Sequence, residues 1–213
     1  MRGLRVWRAS LTRPADEVAT LYQHLDDVER SRAAGFRKQD DRRRFIVTRA
    51  TLRLLLGEYT NSAPNQVSLC VLPGGKPALR RETVTPGLHF NLSHCGEIAL
   101  FAFADCEVGI DVEQIAPHRE MEGVAAHFFS PGEAAVFRRL GGDEQARFFC
   151  RTWVRKEAYL KATGDGFAVD PSRVIVDDRY FVHDLADLDD HLAAVAVAGI
   201  IGTGEIEIRQ VVQ

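Results

Sequence analysis

The sequence predicts an α+β fold, from the order of its predicted elements and from its composition. Helix and strand patterns follow one another irregularly along the 213 residues, without the strict strand-helix repeat of an α/β protein. Hydrophobic residues make up 46% and charged residues 27% of the chain, ordinary values for a globular protein that argue against disorder and against a membrane protein. This length suits one domain or two small lobes, and composition does not decide between them.

The charge and cysteine content bear on the class of function and on location. The formal net charge of −3 gives no whole-chain reason to expect nucleic-acid binding, although Lys and Arg are concentrated between Arg30 and Arg53. The four cysteines show no C-x-x-C spacing, so we expect free thiols in a reducing, cytoplasmic compartment. The sequence predicts neither an export signal nor a membrane-spanning segment.

The first part of the chain predicts two helices. Apolar residues recur at the spacing of one helix face over residues 17–28. A second helix is predicted over residues 40–59, with Asp40 and Asp41 as cap candidates ahead of three consecutive arginines. Because cations at a helix start oppose the helix dipole, a nearby carboxylate or a bound phosphate would stabilise them. A solvated basic face is the alternative.

The middle of the chain predicts strands. Residues 74–77 form a turn, and alternation then predicts a strand over residues 88–92 with one apolar face. Residues 91–96 are predicted to form the end of that strand and its connection, and residues 98–104 a more fully buried strand. In a third strand, over residues 108–113, Asp111 and Glu113 project to the same side.

The remaining elements are predicted from caps and alternation. Ser130, Pro131 and Glu133 have the spacing of a capping box, so a helix is expected from there to about residues 141–142. A longer helix is expected from about Glu144 to a left-handed stop at Gly164. Strands are predicted at residues 174–176, 193–197 and 205–212.

Three carboxylates and one lysine are the candidate chemical groups. Asp111 and Glu113 share a strand face, and Glu157 lies on the long helix with Lys161 one turn later. Hard divalent cations such as Mg²⁺ prefer oxygen ligands and complete their coordination with water and substrate phosphates. The alternative for each feature alone is a solvated strand face and a helix surface pair.

Four short motifs occur together, and the combination is far more specific than any one of them. They are GKP at residues 75–77, NLSH at 91–94, VGIDVE at 108–113 and WVRKEAYLK at 153–161. In this order and at these separations they closely resemble the surfactin-synthetase-type branch of the 4′-phosphopantetheinyl transferase family. The resemblance extends from about Arg44 to Gly166 and is weak beyond it.

The resemblance implies two similar α+β lobes, residues 1–105 and 106–213, with the active site in the cleft between them. Coenzyme A and Mg²⁺ would bind there, the metal through Asp111, Glu113 and Glu157. Lys161 resembles the lysine that contacts the reacting phosphate, and both Asp111 and Lys161 count among the implied coenzyme A contacts. Glu157 is the candidate to accept a proton in the reaction.

The resemblance also implies residues for the nucleotide end of coenzyme A. Lys76 and Pro77 resemble a loop that holds the adenylate, Ser93 and His94 resemble phosphate contacts with His94 at the 3′-phosphate, and Arg44 matches a basic position near the same nucleotide. The alternatives are a solvated turn lysine, a hydrogen-bonded histidine of the connection and a basic helix face. Whether Arg30, Arg32, Arg37 or Lys38 also contacts phosphate stays open.

Two further positions of the motifs are interpreted structurally. Cys95 stands where many relatives have serine, a change between small residues. Trp153 is interpreted as a packing residue.

The implied activity is transfer of phosphopantetheine from coenzyme A to a serine of an acyl or peptidyl carrier protein, by a monomeric enzyme that binds neither nucleic acid nor membrane. A metal-dependent phosphodiester hydrolase is one alternative, but it leaves the GKP and NLSH motifs unexplained. A non-catalytic module that binds coenzyme A or a carrier protein is another, but it has no need of a complete metal site. The sequence does not identify the carrier protein or its pathway.

Overall fold

The structure is a computed structural model that describes residues 3–72, 75–80, 87–116, 121–164, 172, 180–185, 188–199 and 206–211. Its mixture of helices and strands confirms the predicted α+β class. The helices are α1 (Ala15–Tyr22), α2 (Asp27–Ala34), α3 (Gln39–Thr60), α4 (Met121–Phe128), α5 (Pro131–Phe137) and α6 (Gly142–Thr163). The strands are β1 (Arg5–Ser10), β2 (Leu69–Val71), β3 (Pro77–Leu79), β4 (His89–Cys95), β5 (Ile98–Ala104), β6 (Val108–Gln114), β7 (Tyr180–Leu185), β8 (His191–Ala198) and β9 (Glu207–Gln210).

The strands form two larger sheets and one hairpin. The first sheet has the order β4-β5-β1-β9, in which β9 from the end of the chain pairs in parallel with β1 and the other pairs are antiparallel. The second sheet has the antiparallel order β6-β8-β7. Strands β2 and β3 form the hairpin. No described helix is both long and apolar enough to cross a membrane.

The two sheets pack face to face between two long helices. Alternate residues of β5 point to opposite sides, so Phe101 and Phe103 pack toward α3 while Leu100 packs toward the second sheet. Val108, Ile110 and Val112 of β6 complete the core between the sheets, as the alternation predicts. The other face of the second sheet lies against α6, and α4 and α5 pack on the first half of that helix. The polar face of β6 therefore lies under α6.

A side-chain hydrogen bond joins the two sheets where β4 runs beside β6. The backbone N–H of Ile110 donates to the Asn91 side-chain oxygen at 2.9 Å, and Asn91 is only 3% exposed. Because a buried amide oxygen needs a partner, this bond restrains the position of β6 beside β4. The NLSH and VGIDVE motifs are thereby held next to each other.

Several predicted elements are confirmed. The long helices α3 and α6 begin and end within two residues of their predicted limits, and Gly164 adopts the predicted left-handed conformation. Both hydrogen bonds of the capping box between Ser130 and Glu133 are present. The strands predicted at residues 98–104, 108–113 and 193–197 correspond to β5, β6 and β8.

Other predictions about the elements were wrong. The single helix over residues 17–28 is two helices, because the Asp26 side chain accepts a hydrogen bond from the Glu29 N–H and starts α2, which leaves Val28 78% exposed. Asp40 and Asp41 lie in the first turn of α3 instead of capping it, since the cap position is Lys38.

Four further predicted limits either differ from the structure or lie wholly or partly outside the described residues. Helix α5 ends at Phe137, before residues 141–142, and β4 continues to Cys95 through the predicted connection at residues 91–96. Pairing with β5 extends β4, because the two strands are joined by a tight turn at Gly96 (φ 55°). The strand predicted at residues 174–176 and part of that at 205–212 lie outside the described residues.

Candidate active site

Three elements bring Ser93, Asp111 and Lys161 into contact. The Lys161 Nζ atom of α6 lies 2.6 Å from Asp111 Oδ1 of β6 and 3.2 Å from Ser93 Oγ of β4. Ser93 Oγ also donates to Asp111 Oδ1 at 2.8 Å. Asp111 is only 3% exposed, so its charge would be costly without the ammonium group beside it. The face of β6 that carries Asp111 is therefore a buried charged site and not the solvated strand face of the alternative interpretation.

Gly109 explains how α6 comes close enough for this contact. A Cβ atom at Gly109 would lie 2.1 Å from the Ala158 carbonyl oxygen and 2.3 Å from the Ala162 N atom. Only a residue without a side chain allows the helix backbone to lie on the strand at this distance. Asp111 follows on the same strand face, so the glycine of the VGIDVE motif sets the distance from Asp111 to Lys161.

Glu157 and Glu113 complete what we call the carboxylate set, Asp111, Glu113 and Glu157. Burial raises the pKa of Glu157, Lys161 opposes that effect, and the charges of Asp111 and Glu113 raise the pKa further. The three carboxylates are thus close enough to influence one another electrostatically. Glu113 also contacts Cys95, where burial raises the pKa of the thiol and a hydrogen bond to Glu113 adds to the effect.

The carboxylate set has oxygen atoms available for a cation. Asp111 Oδ2 and Glu157 Oε1 are buried and have no hydrogen-bond partner among the described residues. Within the same part of the chain, no group of three or more His, Cys, Asp or Glu side chains is arranged closely enough to hold a metal ion. Lys161 provides the positive charge beside Asp111 in this structure. The donor chemistry, hard oxygens buried with unused lone pairs, nevertheless fits a hard divalent cation.

A cavity of about 860 Å³ adjoins Lys161 and extends toward α3. Its wall carries five basic side chains, Arg32, Arg44, Arg49, His94 and Lys161, and one carboxylate, Asp41, which accepts a hydrogen bond from Arg44. Ser93, Gly75 and Pro77 also line it. Burial lowers the pKa of His94, and the positive charges of Lys161 and Arg44 lower it further. A cavity with this lining suits a polyanionic ligand.

Carboxylates balance the arginines at the start of α3. Arg44 donates to Glu97 Oε1 at 2.8 Å and to Asp41 Oδ1 at 3.2 Å, and Arg43 also donates to Glu97. Hydrogen bonds from Arg43 lower the pKa of Glu97 to about 2, against the effect of burial, and Arg44 contributes in the same direction. We call Arg43, Arg44 and Glu97 the arginine set. Of the two anions that the sequence left open, this structure has the carboxylate.

One basic residue of the cavity wall was left unassigned in the sequence analysis, and another was not singled out. Arg32 was one of four residues left open, and its guanidinium lies 5.2 Å from the centroid of the Phe45 ring. Arg49 was missed, and it pairs with the buried Glu29 at 2.5 Å. It lies five residues beyond Arg44, about 140° further round α3, so helical spacing from Arg44 gave no signal for it.

Lys76 lies apart from these groups. Its Nζ atom donates to the backbone oxygens of Val108, at 2.9 Å, and of Lys161, at 2.8 Å. Burial lowers the pKa of Lys76 to about 8, and the charge of Glu107 partly opposes this. Lys76 lines a second cavity of about 320 Å³, together with Glu107, whereas Pro77 lines both cavities. The solvated turn lysine of the alternative interpretation is therefore excluded.

Two more residues of the WVRKEAYLK motif support α6. Trp153 stacks on Phe149 and meets Phe128 edge-on, which agrees with a packing role. Lys156, which the sequence analysis did not single out, is 3% exposed and lies 3.1 Å from Glu133 Oε2. The same glutamate oxygen closes the capping box of α5. Lys156 thereby ties α6 to the start of α5.

Known families match both halves of the chain. Residues 7–106 match the model for the N-terminal part of 4′-phosphopantetheinyl transferases, and residues 107–193 match the 4′-phosphopantetheinyl transferase superfamily. The 4′-phosphopantetheinyl transferase HetI of Nostoc sp. PCC 7120 is 36% identical over 208 residues, covering 92% of this chain and 88% of HetI.

More distant relatives have the same description. The 4′-phosphopantetheinyl transferase Sfp of Bacillus subtilis strain 168 is 24% identical over 168 residues, covering 78% of this chain and 73% of Sfp. The 4′-phosphopantetheinyl transferase AcpT of Escherichia coli K12 is 43% identical over 91 residues, covering 42% of this chain and 45% of AcpT.

Proposed function

Because the chain belongs to the 4′-phosphopantetheinyl transferase superfamily, we propose that it transfers the 4′-phosphopantetheine group of coenzyme A to a serine of an apo acyl or peptidyl carrier protein. The observation that carries this proposal is the position of Lys161. Its ammonium lies on the buried Asp111 carboxylate and at the same time on the wall of the basic cavity.

In the proposed reaction, the carrier serine oxygen attacks the β-phosphate of coenzyme A. The new P–O bond forms as the bond between the β-phosphorus and the bridging oxygen of the pyrophosphate breaks. Adenosine 3′,5′-bisphosphate leaves with that oxygen. Charge develops on the phosphate oxygens during this displacement, so catalysis depends on positioning and electrostatic stabilisation.

The cavity would bind the nucleotide end of coenzyme A. His94 would contact the 3′-phosphate, Ser93 a phosphate of the pyrophosphate, and Arg44 the same nucleotide, with Pro77 against the adenylate. Their common position on one cavity wall supports this assignment. The described bonds of Arg44 to Asp41 and Glu97 use its Nε–H and one Nη N–H, so its other N–H donors would remain for the nucleotide.

Lys161 and Glu157 would act on the reacting groups. Lys161 would meet the charge that develops on the β-phosphate, since its ammonium is held at the edge of the cavity by Asp111 and Ser93. Glu157 is the candidate to accept the serine proton, because it lies one helical turn from Lys161 on the same face of α6. Removing that proton makes the serine oxygen a stronger nucleophile.

Asp111, Glu113 and Glu157 would hold Mg²⁺, and Asp111 would thereby also face the pyrophosphate. The unpaired oxygens of Asp111 and Glu157 support this assignment. The ion would neutralise charge on the pyrophosphate of coenzyme A.

The decisive experiment mixes the protein with an apo carrier protein, Mg²⁺ and coenzyme A, and measures the mass of the carrier. We expect an increase of one phosphopantetheine. Cleavage of coenzyme A by water alone would instead identify a phosphodiester hydrolase, and binding without turnover would identify a binding module. Action as a monomer in the cytoplasm, without nucleic acid or membrane, is part of the same proposal, and light scattering on the purified protein tests the monomer.

A further inference from the structure

We propose that Lys76 is a positioning residue for Lys161 and not a contact of the nucleotide, an inference that rests on the proposed function and deepens it. The GKP motif to which Lys76 belongs lies on the β2–β3 hairpin, whereas Lys161 lies in the last turn of α6. Lys76 therefore connects two parts of the chain that are far apart in sequence.

The ammonium group of Lys76 is already engaged by the protein. Its two hydrogen bonds go to the carbonyl oxygens of Val108 and Lys161, at 2.9 and 2.8 Å. Two of the three N–H donors of this half-buried ammonium are therefore used, and Lys76 lines the smaller cavity instead of the basic one. By contrast, its neighbours Gly75 and Pro77 line the large basic cavity directly.

The Lys161 carbonyl needs such a donor. The last four carbonyl groups of an α-helix have no partner within the helix, and they form the negative end of the helix dipole. Gly164 N–H donates to the Leu160 oxygen, and Lys76 donates to the next carbonyl, that of Lys161. A cation at this position therefore fixes the backbone of the residue whose side chain reaches Asp111.

The same contact also fixes the start of β6. Val108, the other acceptor of Lys76, precedes Gly109, where the strand lies against the backbone of α6. The hydrogen bonds of Lys76 and the close packing at Gly109 thus form one joint, a set of contacts that holds β6 against the end of α6. Because Asp111 and Lys161 extend from the two sides of this joint, loosening it would change the position of the Lys161 ammonium relative to the reacting phosphate.

The test is a double-mutant cycle of Lys76→Met and Lys161→Met, with kcat measured at saturating carrier protein and coenzyme A affinity measured by calorimetry without carrier. For Lys76→Met alone we expect kcat to fall by about 10- to 100-fold, the scale of a misplaced catalytic group, with a smaller change in affinity. In the Lys161→Met background we expect Lys76→Met to have little further effect on kcat, because the group that it positions is gone.

Two controls keep the result interpretable. Lys76→Arg retains the cation and the donors, so it should recover most of kcat. If the methionine variant does not fold, Lys76→Gln, which removes the cation but keeps a polar side chain, takes its place in the cycle. Arg139→Met removes an exposed cation after α5 and should leave kcat and affinity unchanged.

The opposite results would overturn the inference. A large loss of coenzyme A affinity with unchanged kcat would make Lys76 a nucleotide contact. An equal fall in kcat with and without Lys161 would mean that Lys76 does not act through Lys161. If the wild-type protein modifies no carrier protein, the proposed function fails instead, and calorimetry with Lys76→Met still decides whether Lys76 contacts coenzyme A.

Discussion

The arginine set and the carboxylate set contain opposite charges that are balanced in different ways. At the start of α3, Arg43 and Arg44 share the carboxylate of Glu97, which is 38% exposed. Under α6, one ammonium, that of Lys161, lies on a carboxylate that is almost completely buried, and two carboxylate oxygens have no hydrogen-bond partner among the described residues.

The comparison separates a carboxylate whose two oxygens are both paired with arginines from carboxylates that keep oxygens available for a cation among the described residues. Exposed ion pairs are screened by water and contribute little to stability. Buried carboxylate oxygens without a donor are costly, and a bound cation removes that cost. We therefore expect the transfer reaction to depend on the carboxylate set. The arginine set should affect coenzyme A binding and the stability of the protein in acid.

Removal of divalent metal is expected to have the largest effect. All three members of the carboxylate set are oxygen donors, and the proposed substrate carries a pyrophosphate, so excess chelator should abolish transfer and Mg²⁺ should restore it. Mass spectrometry of the carrier protein measures the result. Full activity in chelator with metal-free reagents would remove Asp111, Glu113 and Glu157 from the role of metal ligands.

Replacement of Lys161 by Met tests the cation of the same site. If its charge stabilises the transition state, kcat should fall by about 10²–10³-fold, with a smaller change in the KM for coenzyme A. Steady-state kinetics at saturating carrier protein, on protein whose folding is checked by circular dichroism, measures the effect. An unchanged kcat would show that the contact with Asp111 serves the structure alone.

His94→Ala tests the basic cavity between the two sets. The loss of one charge-assisted hydrogen bond to the 3′-phosphate should cost about 1.5–3 kcal/mol of coenzyme A binding. Calorimetry with coenzyme A and with 3′-dephospho-coenzyme A measures the difference. If the variant prefers coenzyme A as strongly as the wild type does, His94 does not contact the 3′-phosphate.

Gly109→Ala tests how the carboxylate set is assembled. The added methyl group would meet the backbone of α6, so we expect the unfolding free energy to fall by about 1–3 kcal/mol, as in overpacked cores. The displacement of α6 should also lower kcat. Gly132→Ala is a matched control, because a Cβ atom there meets no atom within 4 Å. Equal effects of the two substitutions would contradict the close packing of β6 on α6.

Acid titration of the arginine set should have the smallest effect. The pKa of Glu97 is lowered from 4.5 to about 2, so its contribution to stability is complete above the unfolded value and is lost as the pH falls toward 2. Exposed pairs of this kind contribute about 0.2–1 kcal/mol each. Urea unfolding of wild type and Glu97→Gln between pH 6 and pH 3 measures it, and the stability difference between them should shrink as the pH falls. A difference that grows on acidification would contradict the sign.

The sequence by itself determined the elements whose signals are local. The capping box at Ser130 and Glu133 predicted the start of α5, and Gly164 predicted the end of α6. Alternation along β6 placed Asp111 and Glu113 on one face, because successive side chains of a strand point to opposite sides. Together with the four motifs, this was enough to identify the family and most of the candidate site residues before any contact was known.

Only the tertiary structure decided which charges are buried and what they contact. Lys76 lies 32 residues from Val108 and 85 from Lys161 in sequence, and Ser93 lies 18 from Asp111. The pairing of β9 with β1 and the place of Arg49 in the cavity wall are likewise not apparent in any local pattern, whereas the split between α1 and α2 has a local signal, the cap residue Asp26. Local patterns report backbone preference and the direction of a side chain, whereas burial and charge pairing depend on which distant elements pack together.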